Sequence, residues 1–402
     1  MDGIDVAAAD LRIGPAGTVE LLPLGHREVP YPNGLRDALL AALPPAECTA
    51  GQLCRLDTEV GQAFAAAAAG ALTELADGRA DLVASLGQTI FHWVEDGRCL
   101  GTLQLGQPAW IAERTGLPVV ADLRARDVAA GGHGAPLAAV LDALWLREIC
   151  LQDRAMDSAA DEPVAALNIG GIANVTVVGP DRTTLAFDTG PGNALLDAAA
   201  RMISDGVWQR DVNGELAAQG SVRTDLLDAL LADAYYGKPP PKSTGKEHFH
   251  AGYLRAVLDG VPHVASVDLL ATLVELTAVT VADACRAHGV GRVVASGGGV
   301  RNPVLMAALR RTLAPACLVT SDELGLPTDA KEAYLAALLG FLTWVGAPGN
   351  APSATGAAGP RLLGSVTPGG GPLCLPDPVT TAVTRLRVHA PEPVGGGTHG
   401  SA

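Results

Sequence analysis

Short apolar runs alternate along the chain with longer stretches whose apolar residues recur at helical spacing, and glycine or proline marks most of the changes. Residues 4–11 read as a strand, with 14–22 placed to pair with it. The alanine-rich stretch 63–76 predicts a helix, 82–86 a short strand running into Gly-Gln-Thr, 107–115 a helix and 118–123 a strand. A helix over 136–151 precedes a strand at 164–168 that ends in Gly170-Gly171. Segments 175–178 and 184–187 flank the turn Gly179-Pro180-Asp181-Arg182 and predict a hairpin. Helices follow over 193–203, 222–235 and 269–288, the last stopped by Gly289. Next come a strand at 292–295, three consecutive glycines, a helix from about Pro303 and a final long helix over 330–344. This order predicts an α/β architecture. From Gly346 glycine and proline dominate, and 391–402 is expected to be a disordered tail.

Composition narrows the class. The 402 residues suffice for two domains, and 48% apolar against 18% charged excludes wholesale disorder. Lys+Arg 28 against Asp+Glu 43 leaves a net charge of −15, which argues against a general affinity for nucleic acid or an anionic membrane. The seven cysteines are scattered without a Cys-x-x-Cys pair, so a zinc framework or disulfide scaffold is not expected and a reducing cytoplasm fits. No apolar run reaches the length of a membrane span, and Met1-Asp-Gly-Ile-Asp5 lacks the basic start of a secretory signal. The expectation is a soluble cytoplasmic protein.

Four segments could carry chemistry. In Leu167-Asn-Ile-Gly-Gly-Ile-Ala-Asn-Val-Thr176 the paired glycines can present N–H groups to an anion, or simply make a tight hairpin. In Phe187-Asp-Thr-Gly-Pro-Gly-Asn193 a carboxylate closes a strand before a rigid loop, where it can orient a water or hold a metal ion, or cap the helix. Val293-Val-Ala-Ser-Gly-Gly-Gly-Val-Arg-Asn-Pro303 lets a flat nucleotide part approach its backbone, yet matches neither the Rossmann fingerprint nor the P-loop. Gln88, Arg126 and Asp127 are of types that grip sugar hydroxyls or a carboxylate, although Arg126 and Asp127 equally suit a surface ion pair. His92 and His133 fit packed or solvated positions better than acid–base roles, and Lys238, Lys242 and Lys246 fit a solvated loop better than a phosphate site.

Together these segments resemble the anhydro-N-acetylmuramic acid kinase family. The likeness runs from Asp2-Gly-Ile-Asp5 to about Pro368, through Gly87-Gln-Thr89, Thr102-Leu-Gln-Leu-Gly106, Ile111-Ala-Glu-Arg-Thr-Gly116, 120–136, 168–174, 187–193, Pro241-Lys-Ser-Thr-Gly245 and 297–303. It implies the two-lobed actin/hexokinase-like ATPase fold with an interlobe cleft. The lobes would be 1–130 plus about 333–375, and 131–332, with 376–402 a flexible tail. The implied partners are ATP, Mg²⁺ and the sugar 1,6-anhydro-N-acetylmuramic acid, with a homodimer as the assembly. The implied reaction is attack of water on the anomeric carbon, opening of the anhydro bridge and phosphorylation of the released O6.

Carried over by position, Asp188 is the base for the water. ATP contacts are implied at Asp2, Gly3 and Asp5, at Asn168, Gly170, Gly171 and Asn174, and at Gly297, Gly298, Gly299 and Asn302. Asp5 is the candidate for holding Mg²⁺. Sugar contacts are implied at Gln88, Arg126, Asp127, Thr189, Gly190, Asn193 and Glu332. One departure stands out: the family's first phosphate loop, a Gly-x-Ser-Gly-Thr-Ser segment, would precede Met1. A start set too far downstream, or an impaired ATP/sugar-binding relative, would each account for it; a kinase for another sugar is a further alternative, disfavoured by the Asp188 motif.

Overall fold

The computed structural model describes residues 3–155, 162–179, 181 and 183–389. Asp2, the Pro180 and Arg182 positions of the expected turn and the stretch 391–402 lie outside these residues. Strand β1 (Ile4–Ile13) pairs antiparallel with β2 (Thr18–Val29), from Ile4 opposite Val29 to Ile13 opposite Val19, across a bulge at Ala8/Ala9. Helix Ala50–Leu75 begins well before the alanine run, because Thr49 and Gln52 form a capping box that satisfies its first free N–H groups. After β3 (Val83–Ala84) comes the hairpin of β4 (Gln88–Glu95) and β5 (Arg98–Leu105), then helix Pro108–Thr115 and β6 (Val119–Ala121), parallel to β3.

The larger sheet contains β7 (Val164–Ile169), β8 (Ile172–Val178), β9 (Thr184–Pro191), β10 (Arg292–Ser296) and β11 (Cys317–Thr320), in the order β11-β10-β7-β8-β9. Strands β11, β10 and β7 run parallel, whereas β7, β8 and β9 form an antiparallel meander. The chain closes with β12 (Ser365–Thr367), antiparallel to β6, and β13 (Arg385–Val388), parallel to β2. The α/β class expected from the alternation is therefore the class of the structure. The flexible tail is corrected as far as residue 389: Leu386 is fully buried, and Thr384 and His389 donate backbone hydrogen bonds to Gly17 and Leu21.

Period-2 alternation gives the five-stranded sheet two buried faces. Leu167, Ile169, Val175, Phe187 and Val293 face one core, covered by helices that include Ala194–Ile203 and Ser266–Ala287. Val164, Ala166, Val178 and Val294 face the other, shared with helices Ala138–Ala155 and Lys331–Trp344 and with Val19, Leu21 and Leu386 of the N-terminal sheet. These two helices thus lie between the sheets. Tyr334, Leu338, Leu339 and Leu342 are all fully buried, each side chain contributing about 1.5–3 kcal/mol relative to exposure.

Candidate active site

The strand face that buries Val164 and Ala166 continues to Asn168. Register sets Ser296 of β10 opposite Asn168, Asn168 opposite Asn174 of β8, and Asn174 opposite Asp188 of β9. Four polar residues so form a row across four strands, where the apolar face toward the interlayer helices stops. A bulge between Ala173 and Asn174 leaves Thr189 unpaired in the ladder, and its hydroxyl donates to the Ala173 carbonyl at 3.1 Å. Such a bulge bends the strand and re-aims the neighbouring carboxylate.

Asp188 is held on three atoms. Its N–H donates to the Lys242 carbonyl (3.0 Å), its carbonyl accepts from the Tyr235 hydroxyl (2.7 Å), and its Oδ2 accepts from the Thr244 N–H (2.9 Å). Burial pushes the Asp188 carboxyl above the ordinary carboxylate value; the Thr244 bond opposes this and nearby Glu247 adds to it. The helix-cap alternative does not apply, since Asn193 occupies the N-cap position of helix Ala194–Ile203. A half-buried carboxylate with one oxygen fixed and a raised proton affinity is equipped to accept a proton from water.

Beside this row lie two glycine turns. Gly170 and Gly171 offer their carbonyls to the N–H groups of Asn193, Gly192 and Ala194, tying the β7–β8 turn to the loop after Asp188. The stem of Lys246 crosses Gly171, where a Cβ would come within 2.6 Å of its Cε. In the second turn, a Cβ on Gly297 would meet Asn168 Oδ1 at 2.6 Å, and one on Gly299 would meet Ile169 Cγ2 at 2.2 Å. Those two glycines are needed for packing against β7. Gly298 has nothing within 4 Å, which leaves it free to meet a ligand. Asn302 Oδ1 accepts from the N–H groups of Val304 and Leu305, capping helix Pro303–Leu313.

An open cavity is lined by Gly3, Asp5, Tyr31, Gln88 and Glu332, among others. The Tyr31 hydroxyl donates to Gln88 Oε1 at 2.8 Å. Burial, followed by the charges of Glu28, Glu332 and Asp329, raises the Asp5 carboxyl. Among the described residues no three His, Cys, Asp or Glu side chains cluster to hold a metal. A nucleotide-borne Mg²⁺ needs only one or two carboxylates besides phosphate and water, and Asp5 lies in the negative surroundings that a cation would relieve.

The family model for anhydro-N-acetylmuramic acid kinase matches residues 1–369. The chain is 57% identical over 387 residues to the anhydro-N-acetylmuramic acid kinase of Streptomyces coelicolor, covering 96% of each. It is 52% identical to that of Rhodococcus erythropolis, covering 97% of each, and 43% identical to that of Xanthomonas campestris, covering 91% of this chain and 94% of the relative. The chain belongs to the anhydro-N-acetylmuramic acid kinase family. Among solved structures, a ROK family glucokinase from Streptomyces griseus aligns at 13% identity and TM-score 0.31, covering 82% of this chain and 97% of that one. A ROK hexokinase from Thermus thermophilus aligns at 19% and 0.27, covering 83% and 99%; superpositions this loose carry no argument.

For this family member the structure sorts the expected sugar contacts. Gln88 and Glu332 line one cavity with Asp5, while Thr189 and Gly190 follow Asp188 on β9. Asp127 is different. It is fully buried and accepts from the Gly134 N–H, Asn350 Nδ2 and Thr355 Oγ1, each at 2.8 Å, so it holds a loop together. Arg126 is exposed and forms no ion pair with it. The inward-facing arginine is Arg124, two residues earlier, whose Nη1 donates to the Gly134 carbonyl at 2.8 Å. Thr244 was likewise not among the expected site residues, although Pro241-Lys-Ser-Thr-Gly245 was one of the matching runs.

Proposed function

We propose that the chain opens 1,6-anhydro-N-acetylmuramic acid hydrolytically and transfers the γ-phosphoryl group of ATP to its O6, giving N-acetylmuramic acid 6-phosphate. The observation that carries this is Asp188, half-buried, raised in proton affinity and fixed by the Thr244 N–H. An ordinary sugar kinase needs a base only for a hydroxyl. Here Asp188 would accept a proton from water as the water oxygen bonds to C1 and the C1–O6 bond breaks. The freed O6 takes the phosphoryl group, and ADP leaves.

On this reading Gly298 and the turn at Gly170 and Gly171 lie toward the nucleotide, with Lys246 close to the phosphates. Asp5 would hold Mg²⁺, which screens the phosphate charge when bound with ATP. The lobes would be 1–130 with about 333–375, and 131–332; helix Lys331–Trp344 supports this by packing on β1, β3 and β6. Use of ATP fits the cytoplasm. Incubation with ATP, Mg²⁺ and 1,6-anhydro-N-acetylmuramic acid, with products resolved by mass, should give the ring-opened 6-phosphate. Intact sugar, or a phosphorylated sugar with its anhydro bridge closed, overturns the proposal.

A further inference from the structure

The segment from Tyr235 to Phe249 leaves the core as a long loop and returns to it. Tyr235 and Phe249 are both buried and meet edge to face, with ring centres 5.9 Å apart. Between Tyr236 and Phe249 no residue is buried, so the loop's hold on Asp188 depends on how its two ends are fixed. Where the arms meet, one carboxylate binds both. Asp233 Oδ1 accepts from the Tyr235 N–H and Asp233 Oδ2 from His248 Nε2, each at 2.8 Å. Burial alone would raise the Asp233 carboxyl, but the Tyr235 N–H and His248 hold it below the ordinary value. A carboxylate at this place keeps the imidazole proton on Nε2, so the bond holds whether or not the ring is charged. The His248 ring also packs on Phe249 and Tyr253, with centres 4.5 and 5.6 Å away. Both arms then reach the site: Tyr235 gives its hydroxyl to the Asp188 carbonyl, while Lys242 and Thr244 bind the Asp188 N–H and Oδ2.

Resting on the function proposed above, we infer that Asp233 and His248 are positioning residues that close the neck of this loop and so aim Asp188 at the attacking water. Bringing the ends of a loop together costs entropy, and bonds at the neck meet that cost for every contact farther along. Packing of Tyr235 on Phe249 keeps the arms together but sets no direction. The two bonds to Asp233 do, because hydrogen bonds weaken steeply when misaligned. The distance from neck to carboxylate is short. The N–H groups of His248 and Phe249 both donate to the Gly245 carbonyl, and Gly245 follows Thr244 directly. A single tight turn therefore passes a displacement of His248 to the Thr244 N–H.

The test uses His248→Leu, which keeps apolar packing and removes the donor, and His248→Gln, whose amide can return an N–H to the place of Nε2. The His248 side chain is 41% exposed, which weakens a bond to a charged group. kcat of His248→Leu should therefore fall about 5- to 20-fold, with KM for ATP and sugar within about twofold, and His248→Gln should recover most of the loss. Because the effect passes through Asp188, adding His248→Leu to Asp188→Asn should change kcat by less than about twofold. An equal loss in the parent and Asp188→Asn backgrounds, or no loss in His248→Leu, overturns the inference. Hydrogen exchange followed by mass spectrometry reads the neck without turnover. Amides 242–248 should exchange about 5- to 20-fold faster in His248→Leu, while those of β7, β8 and β10 keep the parent rate. Unchanged exchange in the loop, or faster exchange throughout the chain, also overturns it. A parent enzyme that leaves the sugar intact sinks the proposed reaction but not the exchange result, so the two failures stay distinct.

Discussion

Replacing Asp188 by Asn tests the chemistry with little change of shape. Asn retains an Oδ to accept the Thr244 N–H, so the clamp of Thr244, Lys242 and Tyr235 should persist. What disappears is the ability to take a proton. General-base catalysis contributes about 10²–10⁴-fold, or roughly 3–5 kcal/mol of barrier, and kcat should fall by that factor while the KM for ATP stays within a few-fold. The parent enzyme should lose activity as pH falls through the Asp188 pKa, which lies above the ordinary 3.8 because the group is buried. Stability should move the other way. A carboxyl raised on folding binds its proton more tightly in the native state, so its ionisation costs stability fully above the folded pKa and not at all below the unfolded one. Asp188→Asn should therefore melt at or above the parent temperature near neutral pH, and the gap should close on acidification toward 3.8. Turnover within tenfold of the parent would refute the base assignment. A drop in melting temperature near neutral pH would refute the account of Asp188 as a group destabilised by its own site.

In ¹⁸O-labelled water the label should appear on C1 of the product and not in its phosphate, as mass spectrometry of fragments would report; label in the phosphate rules out attack of water at carbon. Gly298→Ala should fold normally and raise the KM for ATP, since its Cβ meets nothing. Gly299→Ala, driven to 2.2 Å from Ile169 Cγ2, should lose about 1–3 kcal/mol in denaturant unfolding, and identical behaviour of the two variants would contradict the division of roles. Asp127→Ala would leave three donors, on Gly134, Asn350 and Thr355, without their acceptor; a loss of about 3–5 kcal/mol is expected, and normal stability with a raised sugar KM would return Asp127 to the sugar site.

Asp188 was legible as a candidate because the sequence over-specifies its surroundings: Gly-Pro-Gly after a carboxylate is more constraint than a helix cap needs, and the cap position falls to Asn193. The hairpin of β4 and β5 was harder to read. Asp96 and Gly97 both adopt positive φ, 48° and 72°, in the turn between β4 and β5, and an Asp-Gly pair between strands is a strong hairpin signal. Exposed Phe91 and Trp93 break the inside–outside alternation that would have confirmed it. Arg126 was named on residue type and on its place in a matching run, in which another arginine, Arg124, lies two residues earlier. A helix start turns such neighbours in different directions, and only the tertiary structure shows that Arg124 is half-buried and bound to the Gly134 carbonyl while Arg126 is exposed. Strand β13 is four residues long amid proline-rich chain, and its evidence is non-local: its hydrogen bonds go to β2, at the opposite end of the sequence.

The placement of Asp188 also follows from where a sheet must end. β9 is the outer strand of its sheet, and an uncovered strand edge exposes backbone groups that invite pairing with other chains. The segment after Tyr235 covers that edge at Asp188, with the Lys242 carbonyl taking the Asp188 N–H and the Tyr235 hydroxyl reaching the Asp188 carbonyl. Lys242 is braced in turn, its Nζ donating to the carbonyls of Tyr235 and Tyr236 and lying 4.7 Å from the centre of the Tyr235 ring. Once that segment is fixed, Thr244 falls where its N–H meets the carboxylate. Satisfying the edge and orienting the Asp188 carboxylate are thus one set of contacts, which ties a loop rich in proline and lysine, unpromising by composition, to the candidate site. It also puts the Asp188 carboxylate on a strand held from both sides, by β8 within the sheet and by the loop outside it.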